Sequence, residues 1–405
     1  MSEGKKKKKR KREEFTYKDF RVIFDFPERL SQYLREWLHL TKLDWDFCID
    51  KIRQGKPYLE WRKSKGKGRG FRYFAAPCEE LKLVQRAILN RILSQIPAHF
   101  ARHGNQIGSS IISNAEHHRG FAKAVYSVDI INAFPTVFRS RVKANLRKPF
   151  EFGLRQFSGV VFSDADKDMM LDVLCDLMCL RDRLPQGPPT SPRILDLVCM
   201  KMDQEIYNLL QKNSTPFQSY RFTAWSDDLT ISSNGEIPEE LRKEILDVVR
   251  KNGFIPHVRK DKTKYYSPET GEMPIVTGLV LNPERLTVAP NKVNQLRARL
   301  HKFLKLQGWD KTILGQINGT LGFIRQVYPK NLPSKIRDCV EKIERRLAET
   351  KALAISKKIE QLEYEIEALK PGEKSEKKKS AKKEKKPSKT IKKVEEYSPA
   401  MSVVP

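Results

Sequence analysis

The 405-residue chain carries 78 lysine and arginine residues against 50 aspartate and glutamate, a formal net charge of +28. Its length allows two or three structural units, and an apolar content of 39% leaves room for solvated tails. No run of about twenty apolar residues exists to cross a membrane as a helix. The cysteines (Cys48, Cys78, Cys175, Cys179, Cys199 and Cys339) form no CxxC pair and no regular framework, which predicts reduced thiols in a cytoplasmic setting rather than disulfides or structural zinc.

The charge is spread over the whole chain. Residues 1–14 are net +5 and residues 371–405 net +6, leaving +17 on the rest. A surface this basic attracts a polyanion, and nucleic acid is the commonest one; a lysine-rich surface that serves solubility is the competing explanation. Lys5–Arg12 and Glu373–Lys393 are expected to be disordered, because like charges repel and few apolar residues offset chain entropy.

A first helix is expected from about Pro27, with Leu30, Tyr33, Leu34 and Trp37 on one face. Lys63–Gly70 is a lysine- and glycine-rich loop leading into a strand at Phe71–Ala75. Glu79–Ile96 repeats Leu81, Val84, Ile88 and Ile92 at helical spacing. Ala124–Asp129 is short and extended, with a turn at Phe134–Pro135. Arg183–Ser191 is a proline- and glycine-rich loop, followed by a helix through Ile194, Leu195, Val198 and Met202. Tyr220–Ser232 holds two apolar runs around Ser226–Asp228, the pattern of a β-hairpin. Helices return after Asn291, through Leu296, Leu300 and Phe303, and a last long one runs from about Ser334 to Lys370.

The chemistry lies in the carboxylates. Asp129 ends an apolar strand, and Asp227 and Asp228 sit at a hairpin tip. Acidic groups beside apolar strands are costly unless something compensates their charge. Two such clusters can converge on a pair of Mg²⁺ ions about 3.5–4 Å apart, an arrangement suited to phosphoryl transfer. Neighbouring carboxylates serve one site only at a turn, because strand side chains alternate. Taken alone, an Asp-Asp pair in a turn is more often a solvated turn, and this one gains its weight from its company.

Four blocks resemble the motifs of reverse transcriptases in order and spacing, over roughly residues 20 to 330. They are Asp129-Ile130-Ile131-Asn132-Ala133-Phe134; Leu184-Pro185-Gln186-Gly187-Pro188-Pro189-Thr190-Ser191-Pro192; Trp225-Ser226-Asp227-Asp228; and Lys262-Thr263. The Leu-Pro-Gln-Gly block with its Thr-Ser-Pro is the most specific. Two further blocks resemble hallmarks of the retron branch: Asn114-Ala115-Glu116-His117, matched to Asn-Ala-x-x-His, and Val276-Thr277-Gly278. The sequence departs in two places. Trp225 and Ser226 stand where the family usually has tyrosine and alanine, and Gly253–Lys262 is about two residues longer than usual.

The resemblance implies an α+β right-hand polymerase with fingers, a palm bearing an antiparallel sheet, a helical thumb and disordered lysine-rich termini. It implies fingers and N-terminal helices over 15–120, a palm over 121–290 with a helical fingers insertion over 140–180, a thumb over 291–350 and a helical extension over 351–370. Asp129, Asp227 and Asp228, with the Ile130 carbonyl, would hold two Mg²⁺ ions. Arg72 would grip the deoxynucleoside triphosphate, Asn132 and Ala133 would offer backbone N–H groups to it, and Phe134 would exclude a ribose 2′-hydroxyl unless it is simply a core residue. Gln186 and Gly187 would shape the nucleotide pocket. Lys262 would act as general acid for pyrophosphate, although Lys260 and Lys264 beside it also fit a merely basic stretch.

The retron blocks imply a structured non-coding RNA as partner, copied from an internal 2′-hydroxyl into branched RNA-linked DNA, and a separate effector protein in defence against phage. Asn114, His117 and Val276–Gly278 would contact that RNA or the scaffold around it, with a structural histidine as the alternative at His117. Arg297 and Arg299 would grip duplex phosphates. Competing readings are another prokaryotic reverse transcriptase, of group II intron or non-retron defence type, and a non-catalytic RNA-binding protein on a polymerase scaffold.

Overall fold

A computed structural model describes residues 21–66, 70–259, 262–306 and 311–369. The basic stretches Lys5–Arg12 and Glu373–Lys393 lie outside them. The chain divides into a unit of residues 1–340, which holds all the described strands, and a unit of residues 341–405. In the second unit the described residues belong to helix Ser334–Leu369.

Strands β1 (Tyr58–Ser64) and β2 (Phe71–Pro77) form an antiparallel pair, with Trp61 opposite Phe74 and Lys63 opposite Arg72. The loop expected to start at Lys63 therefore starts after Ser64. Only Tyr58 of β1 is buried, so the strand has no apolar alternation to reveal it. Helix Glu79–Arg91 follows, stopping short of the expected Ile96 in a separate 3₁₀ turn at Leu93–Gln95.

The central sheet has four strands in the order β4–β5–β3–β6, all neighbours antiparallel: β3 is Ala124–Asp129, β4 Tyr220–Trp225, β5 Asp228–Ser233 and β6 Lys264–Tyr266. The expected hairpin is β4–β5. Register places Asp129 opposite Asp228, and Trp225 opposite Asp228 on the other side. Arg102 continues the sheet past β4 through a parallel bridge to Ala224.

Helix Ser191–Lys212 starts with proline in its first turn, where the missing N–H costs nothing. It buries Ile194, Leu195, Val198, Met202 and Ile206 in a core shared with Val128 of β3 and with Ile130, which follows it. Between β3 and this helix, Arg139–Gly153 and Asp164–Met178 pair through Arg139 with Asp172 and Asp176, and Lys143 with Asp168 and Asp172. Ser163 caps the second with a reciprocal capping box.

A small antiparallel sheet of β7 (Ile275–Val276), β8 (Leu279–Leu281) and β9 (Leu286–Val288) had no sequence signal, its strands being too short for periodicity. Helices Pro290–Leu304 and Lys311–Val327 follow it.

Candidate active site

The end of β3 and the β4–β5 turn bring the three aspartates together. The turn has two residues, Ser226 and Asp227, and Ser226 holds φ at +56°, a conformation normally left to glycine or asparagine. The Ile130 N–H donates to the Asp227 carbonyl at 3.1 Å, fixing the strand end to the turn. Asp129 and Asp228 stand directly opposite each other in the β3–β5 register. Lys262 Nζ lies 3.0 Å from Asp129 Oδ2.

Asp228 is exposed, yet protein crowds around its carboxyl. This loss of hydration, with Asp227 and Asp129 adding negative charge, pushes its pKa up to about 7 against the pull of Lys262. Asp227 is raised for the same reasons, opposed by Arg72 and Lys262. Anionic repulsion this concentrated is what a divalent cation relieves. The donors are all carboxylate or carbonyl oxygens, the set magnesium takes. Lys262 occupies one oxygen of Asp129, and no three acidic, histidine or cysteine side chains among the described residues form a ready-made metal cage.

Arg72, Asn132, Ala133, Phe134, Gln186 and Gly187 were also singled out by the sequence. Arg72, on β2, is near enough to Asp227 to favour its charge. Asn132 holds φ at +50° ahead of the short helix Ala133–Thr136, and its side-chain oxygen accepts from Lys65 Nζ at 2.9 Å. Lys65 was hidden in the glycine- and lysine-rich loop, where nothing in the sequence distinguishes it from its neighbours. Ala133 is buried, and Phe134 packs half-buried on the core. The Gln186 carbonyl accepts from Ala75 N at 2.8 Å, and Gly187 lies so close to β2 that an added Cβ would stand 2.3 Å from the Ala75 oxygen. The Leu-Pro-Gln-Gly loop is thereby docked on the β1–β2 hairpin.

The sequence reading missed a buried charge cluster behind the turn. Arg102 donates to Asp203 through Nε at 2.6 Å and Nη2 at 2.9 Å, and to the Ser226 carbonyl through Nη1 at 2.5 Å. Asp196 lies 3.5 Å away. One signal was available: Asp196 and Asp203 stand seven residues apart, two turns, on the otherwise apolar face of one helix.

The two retron-like blocks meet. Helix Ile111–Glu116 carries Asn114, which is fully buried with neither amide atom hydrogen-bonded. The five-residue pattern Asn-Ala-x-x-His, counted from Asn114, ends on His118 rather than His117. His117 is exposed, and its carbonyl accepts from Arg221 Nη1 at 2.7 Å. His118 is buried, with its ring nitrogens bonded to Ser232 Oγ at 2.7 Å and Thr223 Oγ1 at 2.8 Å. Burial, reinforced by His117 and His103, drives its pKa down to about 3, so it is neutral.

Thr277 and Gly278 form the β7–β8 turn, with φ of +48° and +84°. Thr277 Oγ1 donates to the Ile111 carbonyl at 3.1 Å, which joins the Val276–Gly278 turn to the Asn114 helix. Val276 is buried. Arg297 is exposed on helix Pro290–Leu304, whereas Arg299 donates to Thr320 Oγ1 at 3.2 Å and ties that helix to the next.

No family model matches the sequence. Curated relatives do. The chain is 31% identical to the retron Mx162 reverse transcriptase of Myxococcus xanthus over 328 residues, covering 75% of this chain and 64% of that one. It is 25% identical to the retron Ec86 reverse transcriptase of Escherichia coli over 270 residues, 66% of this chain and 76% of the relative. A second Myxococcus xanthus protein, the retron Mx65 reverse transcriptase, is 26% identical over 277 residues, 67% of this chain and 62% of its own. The chain thus spans less than two thirds of both Myxococcus proteins. Telomerase from Candida albicans superposes with a TM-score of 0.38 at 13% identity, covering 75% of this chain and 62% of that one, a likeness too slight to bear on the fold. By sequence the protein is a relative of reverse transcriptases. Within them, it is a relative of the retron reverse transcriptases. No described helix is long and apolar enough to cross a membrane.

Proposed function

We propose that this protein is an RNA-directed DNA polymerase of the retron kind. On this reading it recognises a structured non-coding RNA and, primed from an internal 2′-hydroxyl, copies it into branched RNA-linked single-stranded DNA. The observation that carries the reading is the convergence of Asp129 on Asp227 and Asp228 across the β3–β5 register, with Lys262 on the Asp129 carboxylate.

In this reading β3–β6 are the palm, β1–β2 and the helices over 140–180 belong to the fingers, and the helices after Asn291 form the thumb. Asp129, Asp227, Asp228 and the Ile130 carbonyl would hold two Mg²⁺ ions, which supply activation of the primer hydroxyl and neutralisation of the triphosphate. Arg72 and Lys65 face the position of the triphosphate, with the Asn132 and Ala133 N–H groups beneath it. Phe134 stands under the sugar, and Gln186 and Gly187 border the base. Lys262 donates a proton to the departing pyrophosphate after exchanging its bond to Asp129 for one to the leaving oxygen. His117, Arg297 and the Val276–Gly278 turn border the RNA. A separate effector protein completes a system of defence against phage.

Two measurements test this together. Purified protein is expected to extend a primer on an RNA template with Mg²⁺ and dNTPs. Sequencing of copurifying nucleic acid is expected to return one small RNA joined to cDNA. Protein that binds RNA but incorporates nothing would overturn the polymerase reading, and extension without a branched product would move the protein to another group of reverse transcriptases.

A further inference from the structure

A two-residue turn with a serine at positive φ does not hold its own shape: the conformation costs about 1–2 kcal/mol for an L-residue outside glycine, so something must impose it. The β3–β5 ladder restrains the turn from one side. On the other side the segment Ala101–Gly104 runs along β4. Ala224 N donates to the Ala101 carbonyl at 2.8 Å, and His103 N donates to the Ala224 carbonyl at 3.0 Å. The turn's own Ser226 carbonyl accepts from Arg102 Nη1 at 2.5 Å. Gly104 makes this approach possible, since a Cβ there would meet Ser226 N at 2.8 Å.

The guanidinium is itself immobilised. Its Nε and Nη2 donate to the two oxygens of Asp203, and Asp196 stands 3.5 Å away, all of these side chains being inaccessible to solvent. Asn105 and Gln106, from the same segment, donate to the second Asp196 oxygen at 3.4 Å each. Both aspartates belong to helix Ser191–Lys212, which begins where the Leu-Pro-Gln-Gly loop ends. One arginine thus links the helix behind the nucleotide-pocket loop to the carbonyl of the carboxylate turn. A buried ionic cluster adds little net stability over an apolar one, so its use here is better sought in placement. Lysine could not replace the arginine, because a single ammonium cannot serve two carboxylate oxygens and a carbonyl in one plane.

We propose that Arg102 is a positioning residue: clamped by Asp203 and Asp196, it fixes the Ser226 carbonyl and thereby sets Asp227 and Asp228 in the geometry that binds divalent metal. This rests on the polymerase reading for its consequence in catalysis but is measured separately through metal binding.

The test compares wild type, Arg102→Lys, Gly104→Ala and, as a control, Arg193→Lys. Arg193 is another buried arginine, bonded to the Leu93 and Ile96 carbonyls rather than to the turn; it also feels the charge of Asp196, an interaction that lysine's charge preserves. Mn²⁺ binding is read by calorimetry, extension rate by primer assay, and folding by thermal unfolding. Arg102→Lys is expected to weaken Mn²⁺ binding by roughly 10- to 100-fold, the usual effect of losing a group that orients metal ligands, and to slow extension by a similar factor. Gly104→Ala, which pushes the turn from the same side, should weaken Mn²⁺ binding in the same direction, and it carries the test if Arg102→Lys does not fold. Arg193→Lys should lower the unfolding temperature and leave Mn²⁺ affinity unchanged. Unchanged Mn²⁺ affinity in folded Arg102→Lys or Gly104→Ala would overturn the clamp, as would equal loss in Arg193→Lys. So would the absence of Mn²⁺ binding by wild type. Wild-type Mn²⁺ binding without primer extension would instead sink the polymerase reading and leave the affinity comparison valid.

Discussion

A Cβ added at Gly187 would meet the Ala75 carbonyl oxygen at 2.3 Å, and the backbone there holds φ at +138°. Strain and clash act together, because the obstacle is backbone and cannot rotate away. Gly187→Ala is therefore expected to destabilise the protein by about 3 kcal/mol or to push the Gln186 loop off β2. Chemical denaturation checks the first outcome and the KM for dNTP the second; a variant unchanged in both would contradict the docking.

His118 gives a residue-scale prediction with a definite sign. Burial holds its folded-state pKa near 3, whereas the unfolded chain titrates near the ordinary histidine value of 6.5. Below 6.5 the unfolded state binds the extra proton, so stability falls as the pH drops from 6.5 towards 3, by up to about 1.4 kcal/mol per pH unit. Above 6.5 the term is constant. Denaturation at pH 7 and pH 5 should show a larger loss in wild type than in His118→Asn. An equal loss in both would mean that His118 is not held neutral.

At the scale of elements, the β4–β5 turn shows stability given up for geometry. Replacing Ser226 by glycine relieves the positive φ, and Ser226→Gly should gain about 1 kcal/mol in denaturation. The same freedom loosens the two aspartates, so the primer-extension rate should fall. A variant both more stable and faster would show that the strained turn has no function.

The elements that were legible in the sequence are those whose signal is local. Ala124–Asp129 and Tyr220–Ser232 show apolar runs that end on acids, and the Leu-Pro-Gln-Gly loop shows its turn chemistry directly. Strand β1 was missed because Glu60, Trp61, Arg62 and Lys63 are all exposed and follow no alternation. The Val276–Gly278 triplet was noticed, but not that it is a turn, because its flanking strands are two and three residues long. The surroundings of Asn114 and His118 were not legible for a related reason: β4, β5 and the small sheet lie about a hundred residues or more away. Arg102 was invisible because its partners are 94 and 101 residues distant, at Asp196 and Asp203.

At the scale of the molecule, the net charge of +28 is carried by the middle of the sequence as well as by its two ends. Binding to structured RNA should therefore weaken steeply with salt, by at least about tenfold between about 50 and 200 mM, as neutralised phosphates regain their counterions. A flat salt response would assign the lysines to solubility alone.

On the proposed function, three carboxylates from two distant parts of the chain form one metal-dependent polymerase centre. The most direct measurement sets wild type beside Asp227→Asn, following primer extension and RNA binding in the same preparation. The expected result is loss of extension by at least about a thousandfold, with RNA affinity within about twofold of wild type because the phosphate-binding surface is untouched. Extension retained by Asp227→Asn would contradict the assignment.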